Sequence, residues 1–408
     1  FAPRFGFAFR MRQGTVLRGG YGLFYNKSGS ESVVMRRHRQ LPFGPINAVD
    51  INTFSPTPRR VQDGLDPIPN LDFAAVAADP VGSLLAVAED FRTGYAQQFN
   101  MQIQQQLPNN MVFKVGYVGN INSRLDTTFN FNQPLPGPGA PGPRRPLNAI
   151  APRVINVNYN VTDANSHYHA LQTTLERRFS DNLGFLAAYT WSHSIDTTAN
   201  AFGGAANGPF PQDIRNRAAD RGTSGFDIQH RFTYSTNYTL PVGKGQAVDF
   251  GNRVANGILG GWKTNGIFTW QGGLPFTPTL NASVSNAGGS RPDALRKAKL
   301  DNPDRARWFD TSFRTADAAW GEPAQFTFGN AGRNILRGPG RVNVDFSLFK
   351  DFALSERFNL QYRAEFFNLF NTPQFGLPNA SIGNPNAGII TSMGGTPRQV
   401  QMGLRLSF

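Results

Sequence analysis

The last eleven residues constrain the fold more than any other stretch of this chain. In Arg398–Phe408 (RQVQMGLRLSF), Val400, Met402, Leu404, Leu406 and Phe408 alternate with Gln399, Gln401, Gly403, Arg405 and Ser407. Successive side chains of a strand point to opposite faces, so one face is wholly apolar and the other wholly polar. Such a strand can belong to a soluble sandwich. It is also what a transmembrane barrel requires, with lipid on one face and a wet interior on the other.

The same alternation recurs along the 408 residues. Phe5, Phe7, Phe9 and Met11 make a first strand, Gln13-Gly14 a tight turn, and Thr15–Tyr25 the return. Thr93–Leu107 and Met111–Tyr117 flank Pro108-Asn109-Asn110, where Pro presets φ and Asn tolerates the left-handed region. His167–Phe179 follows, with Leu171 and Leu175 also fitting a helical i,i+4 spacing. Beyond Ser180-Asp181-Asn182, Phe185–His193 and Asp227–Leu240 continue the series, and Pro241–Gly245 turns it back. The next strand starts near Trp262 and continues past Gly272-Gly273 to about Leu280; Arg341–Phe352, Arg357–Phe370 and the terminal strand complete the set. Counting 261–280 as one gives eleven strands.

The connections alternate in length. Short turns follow the odd-numbered strands, the one after the seventh being somewhat longer. Long loops over 26–93, 120–166, 195–226, 281–340 and 371–397 follow the even-numbered ones. Short periplasmic turns opposite long extracellular loops are the arrangement of outer-membrane barrels, and a soluble sandwich has no reason to segregate loop length in this way. No apolar run approaches the roughly 18 residues of a spanning helix, and the mean hydropathy is −0.36. The expected fold is therefore all-β: an antiparallel transmembrane β-barrel occupying 1–408.

An odd count places the first and last strands in the same direction, whereas single-chain bacterial barrels have an even number and no free edge. Unpaired edges in lipid are prohibitive. The expectation is that further strands lie upstream of Phe1, and that Arg398–Phe408 is a closing seam for a first strand among them. The chain opens without Met and shows no signal-peptide pattern.

Five stretches carry a resemblance: PRFGFAFR (3–10) with VLRGGYGLFYN (16–26), ALQTTLERRFSDNLGFLAAYTWSHSID (170–196), GWKTNGIFTWQGGLPFTP (261–278), GNAGRNILRGPGRVNVDFSLFKDF (329–352) and RAEFFNLFNTPQFGLPN (363–379). With the terminal LRLSF, they resemble the carboxy-terminal barrel half of TonB-dependent, Oar-like outer-membrane receptors. Barrels of this family have about 22 strands, and the strands counted above would form the second half. The resemblance implies a bacterial outer-membrane receptor or transporter that takes up a nutrient ligand. It also implies partnership with the TonB energy-transducing complex, through a plug that has no counterpart in this chain. The barrel-assembly machinery, which reads the terminal strand (Val400, Met402, Leu404, Leu406, Phe408), and outer-membrane lipid with lipopolysaccharide are further implied partners. The alternatives are a surface structural or adhesion protein on the same barrel, and a soluble β-rich carbohydrate-binding protein.

Candidate sites are few. The net charge of +13 is spread along the chain without a basic helix or nucleic-acid motif, so no nucleic-acid partner is expected. There is no cysteine, no GxSxG elbow and no Walker or dinucleotide fingerprint, which leaves no expected catalytic residue and no cofactor. His167, His169 and His193 have ligand-like spacing, but a metal site needs three or four converging ligands; an aromatic girdle or rim role fits them better, and no metal is expected. Asp345, Glu365, Arg363 and Arg405 share a polar face and read as lumen lining rather than as an acid–base pair. Among the loop aromatics Phe54, Trp308, Phe309, Trp320 and Phe326, Trp308 and Trp320 are the candidates for ligand stacking, with packing of loop on loop as the competing reading. The Gly-rich 329–340 segment is read as shaping the rim where the chain re-enters the barrel.

Overall fold

A computed structural model describes residues 1–26, 82–198, 211–289, 291–355 and 357–408. Phe54 and residues 27–81 of the first long loop lie outside that set. Eleven strands form one antiparallel meander, each paired with its predecessor: β1 (Arg4–Arg12), β2 (Thr15–Tyr25), β3 (Tyr95–Leu107), β4 (Met111–Asn130), β5 (Val154–Ser180), β6 (Leu183–Asp196), β7 (His230–Thr239), β8 (Trp262–Gln271), β9 (Arg341–Ala353), β10 (Asn359–Phe367) and β11 (Gln399–Ser407). The sheet is open, with β1 and β11 having one neighbour each. No helix among the described residues is long and apolar enough to cross a membrane, which says nothing against crossing by strands.

Register carries the two-faced pattern across the sheet. Along one row, Phe7, Gly19, Met101, Tyr117, Leu171, Trp191 and His230 stand side by side. One residue along, Arg18, Gln102, Gly116, Gln172, Thr190, Arg231, Gln271 and Arg341 form the opposite face. In β11, Val400, Met402, Leu404 and Leu406 pair with Phe366, Ala364, Tyr362 and Leu360, extending the apolar face to that edge. A one-residue slip anywhere would move apolar side chains to the wet side, so alternation itself fixes the register.

The turns follow from their residues. Gly14, Asn109, Asn110, Asp181 and Asn182 all adopt positive φ, at the short connections, where only Gly and the short amide or carboxylate residues do so at little cost.

Aromatic belts border the apolar face. Toward the long loops, Tyr117 stacks on His169, Tyr189 on His230, and His230 on Trp270. Toward the short turns, Trp262 meets Tyr362 edge-on and Phe358 meets Phe408. Trp262 and Trp270 lie eight residues apart on β8, roughly 26 Å along the strand. At a tilt of about 40° that is about 20 Å of depth, the scale of the apolar band of a membrane barrel. His167–Phe179 is part of a strand, which settles its helical alternative; β5 spans that segment without a break.

Four expectations are corrected. The loop expected over 120–166 is about half strand: β4 runs on to Asn130 and β5 begins at Val154, leaving 131–153 outside the strands with a single 3-10 turn at Gly142–Arg144. Its Asn and Thr residues interrupted the apolar alternation, yet they pair across the ladder, with Thr128 donating to Asn160 and Asn130 to Asn156. The 26–93 loop contains a strand, Gly82–Val87, which pairs in parallel with β5 on the projecting part of that strand. β8 stops at Gln271 and does not reach Leu280. Pro275–Phe276 pairs instead with Leu336–Arg337, and Thr279–Leu280 with Ser381–Ile382. Finally, the connection after β7 is more than a turn at 241–245, because it holds a short helix, α1 (Arg253–Leu259). Seven residues are too few for helical periodicity to register.

Candidate functional site

The long-loop end of the sheet carries a folded cluster with its own core. Phe276, Ala298, Phe309, Ala319, Trp320, Ala331 and Ile382 are buried together, with Leu280, Trp308, Phe313 and Leu336 packed around them. Phe309 meets both Phe276 and Trp320 edge-on. These residues come from the loops after β8 and β10, which the 275–276/336–337 and 279–280/381–382 pairings hold together.

Buried ion pairs fasten this core to the wall. Arg333 is 3% exposed at its side chain and pairs with Asp196 at the end of β6. It also donates through Nε to the Asp220 carbonyl at 2.8 Å and through Nη2 to that of Asp196 at 2.9 Å. Arg291 pairs with Asp220, and Arg337 with Asp227 just before β7. Asp227 in turn accepts from the Ser194 N–H at 2.7 Å and lies 3.3 Å from His193 Nδ1. Each charge thus faces an opposite one, the condition under which burial is tolerated, although Arg333 Nη1 is buried without a hydrogen-bond partner.

Amide side chains knit the remaining loops in. Gln133 donates to the Gln212 carbonyl at 2.8 Å and accepts from the Ile214 N–H at 3.0 Å. Gln212 donates to the Gly329 carbonyl at 2.8 Å and accepts from the Arg291 N–H at 2.9 Å. The backbones meet closely at the rim. A Cβ on Gly273 would lie 1.7 Å from the Gly338 carbonyl oxygen, and one on Gly329 would lie 2.1 Å from that of Arg291. Only glycine fits there, so the Gly-rich 329–340 segment does shape the rim, and its two arginines are the fasteners.

A cavity of about 740 Å³ opens in this cluster. Its walls include Leu295, Trp308, Phe309, Trp320, Ile335 and Leu336, and its cations are Arg296, Lys297, Lys299 and Arg337. Lys297 and Lys299 are exposed. Arg296 and Arg307 flank Asp310 at 2.6 and 3.2 Å. Burial raises the proton affinity of Asp310. The Ser312 N–H and hydroxyl and the Arg296 guanidinium outweigh it, lowering the carboxyl from 3.8 to about 2.

The two tryptophans singled out from the sequence both line this cavity, with different freedom. Trp320 is 1% exposed and its Nε1 donates to the Asp310 carbonyl at 2.6 Å. It is a core residue and presents no open face for stacking. Trp308 is half-buried, with Nε1 donating to the Arg337 carbonyl at 2.8 Å. Phe309 is buried as well, so packing of loop on loop accounts for both it and Trp320.

The polar face holds the four predicted charged residues. Arg363 donates to Gln361, which donates to Asp351 at 2.8 Å, and Lys263 joins Asp351 at 2.9 Å. The Arg363 guanidinium also lies 5.4 Å over the Phe349 ring. Arg405 pairs in register with Gln361, and Glu365 with Ser347 and Gln401. Asp345 accepts from Asn343 and from the Asn368 N–H, each at 2.9 Å. Asp345 is thus held by amides, and Glu365 stands in register between Ser347 and Gln401. His169 faces His193 in register and meets the Tyr117 hydroxyl at 2.5 Å, which places these imidazoles in the upper aromatic belt.

The ion pairs and the glutamine relay were not anticipated. A weak trace lies in the sequence, as Arg291, Arg333 and Arg337 are matched by Asp196, Asp220 and Asp227 in a neighbouring loop region. Nothing in local spacing says which joins which.

No curated protein sequence matches this chain. Among solved structures, it is similar to the outer membrane transporter YddB from Escherichia coli (9% identity, TM-score 0.49, 97% of this chain and 38% of that one). It is also similar to the ferric-catecholate import receptor Fiu from E. coli K12 (9%, 0.44, 99% and 34%). A further match is BauA, the ferric preacinetobactin receptor from Acinetobacter baumannii (10%, 0.44, 100% and 36%). The chain spans little more than a third of the length of each. The family described as outer membrane beta barrel domain matches residues 1–401. With its two-faced meander and aromatic belts, this chain belongs to the outer-membrane β-barrel domain family, and its place is the bacterial outer membrane.

Proposed function

We propose that this chain is the wall and loop end of an outer-membrane receptor that captures a small ligand and passes it inward. The passage would be energised by the TonB complex through a plug supplied by another part of the protein. The observation that carries the reading is the loop cluster. Loops serving only as surface decoration need no buried Arg–Asp fasteners and no cavity, whereas a ligand site needs preformed walls. At about 740 Å³ the cavity has the size of a small-molecule site. Apolar and indole walls beside Lys297 and Lys299 suit an amphipathic anion, which the aromatic surfaces would hold and the ammonium groups neutralise.

The polar face would line the passage, with Arg363, Gln361, Asp351, Lys263, Asp345, Glu365 and Arg405 offering exchangeable hydrogen bonds. This is a binding and transport role rather than a catalytic one. The two open edges of the sheet support the further reading that β11 closes against a strand from elsewhere in the protein. β11 itself would also present its outward residues Val400, Met402, Leu404, Leu406 and Phe408 to the assembly machinery. The basic loop residues would meet lipopolysaccharide.

Native mass spectrometry of the intact protein from outer membranes tests the site. A co-purifying anion is expected on the wild type and is lost in the double variant Lys297→Glu/Lys299→Glu. Retention of the same anion by that variant would remove the cavity from the proposal. Capture of the intact protein by the periplasmic domain of TonB tests the energy coupling. No capture, with adhesion of cells to a surface depending on this chain, would favour the structural reading.

A further inference from the structure

The connection between β7 and β8 lies at the short-turn end, yet it folds. Asn252 caps α1 by accepting from the Val254 and Ala255 N–H groups at 2.8 and 3.2 Å. Asp249 shapes the approach, accepting from the Gly245 and Gly251 N–H groups and from Asn256 Nδ2 at 3.1, 2.9 and 2.6 Å. At the other end of the helix, Trp262 Nε1 donates to the Ile258 carbonyl at 3.1 Å. Lys350 Nζ donates to the same carbonyl at 2.8 Å and also to that of Gly260.

Those two donors identify the side of the wall on which α1 rests. Trp262 and Lys350 are register partners, and their row continues through Tyr362 to Leu404 on the apolar face. Lys350 is therefore an ammonium on the lipid side of β9, where an uncovered charge is expensive. It is 2% exposed, lying near the Trp262 and Phe352 rings, 5.3 and 5.1 Å from their centroids, and solvated by the carbonyls that end α1. The helix thus lies against the outside of the wall.

Facing away from the wall, Val254, Ile258 and Leu259 are 68%, 59% and 50% exposed, and Phe250 is 46% exposed. Val254 and Ile258 share one helical face at i,i+4 spacing. Lys244 and Arg253, both exposed, accompany them.

We propose that α1 and its approach form a membrane-interface anchor in the leaflet at the short-turn end, which is the periplasmic leaflet in barrels of this class. Val254, Ile258, Leu259 and Phe250 sit at the acyl boundary, and Lys244 and Arg253 meet lipid phosphates. Two observations select lipid over a protein partner. The patch is continuous with the apolar wall through Trp262 and Tyr362. Its cations also complement anionic headgroups, as in other interfacial helices.

The test uses the intact protein in liposomes of phosphatidylethanolamine and phosphatidylglycerol. An environment-sensitive fluorophore is attached singly at Val254→Cys or Ile258→Cys, with Met402→Cys as a lipid-facing reference and Gln13→Cys, exposed in the β1–β2 turn at the same end, as a water-facing one. This chain has no cysteine of its own to interfere. Heat-modifiable migration on gels confirms that each variant is folded. Labels at 254 and 258 are expected to be quenched by phospholipid brominated near the headgroup at least half as strongly as the label at 402, and to be shielded from aqueous iodide. Iodide quenching equal to that at 13 overturns the proposal. So does shielding from iodide without lipid quenching, which would mean that a protein covers the patch.

Discussion

The barrel wall and the loop cluster at its rim solve the same problem by opposite means. In the wall, backbone groups pair strand to strand, and side chains only sort themselves into an apolar and a polar face. In the cluster only two-residue pairings remain, and side chains carry the structure: Arg333 to Asp196, Arg291 to Asp220, Arg337 to Asp227, and Trp320 at the centre. The wall is repetitive and tolerant of change. The cluster depends on individual residues.

Substitutions should separate the two regions, beginning with the cluster. Arg333→Ala would strand Asp196 in a buried site, and Trp320→Ala would empty the core. Each should destabilise the cluster by about 3–5 kcal/mol. Limited proteolysis should then cut within 272–340 while heat-modifiable migration, which reports the wall, persists. Joint loss of both would mean that the regions unfold as one unit. Arg333→Met combined with Asp196→Leu should recover most of the loss, because an apolar pair does not leave a charge unpartnered.

Next comes a contrast within one strand. Leu404→Arg places a charge on the lipid side and should cost about 2–4 kcal/mol if it lies near mid-membrane. Gln401→Arg, on the polar face, should be close to neutral. Equal urea midpoints for the two variants would contradict the assignment of faces.

The smallest effect is that of acid on the rim. The Asp310 carboxyl is lowered from 3.8 to about 2, so its ionised form is favoured in the folded cluster. That contribution is complete above about pH 3.8 and is lost as pH falls towards 2. Proteolytic protection of 291–320, followed across this window with an acid-active protease, should weaken more steeply in the wild type than in Asp310→Asn. Parallel curves would remove Asp310 from the account.

The same contrast explains what could be read from sequence. Alternation is a local signal, so eleven strands and their faces were legible from Phe5 to Phe408, and loop length gave the two ends. Where polar residues occupied strand positions, as in 120–130 and 154–166, the signal vanished although the ladder continued. Gly82–Val87 escaped because it pairs on the projecting part of β5. Helix α1 was missed because its seven residues give less than two full turns of period. In the rim, Trp308 and Trp320 were noticed as aromatic but could not be ranked. What makes Trp320 a core residue is contact with Phe309 and Asp310 in a cluster that also holds Phe276 and Ile382, which the chain brings there by long detours.

Those detours bear on the order of assembly. Arg291 and Asp220 are 71 residues apart, and Arg333 and Asp196 are 137 apart. Closing such loops is entropically slow unless something else has already brought the ends near. The acidic partners sit at or beside the ends of β6 and β7, which face each other only after the meander is in register. The arginines are therefore expected to find their partners only after the wall has formed, which would make the rim sensitive to the register of the strands beneath it. A wall displaced by one strand position would present mismatched carboxylates and leave the loops unlatched, exposed to the proteases that clear misassembled envelope proteins.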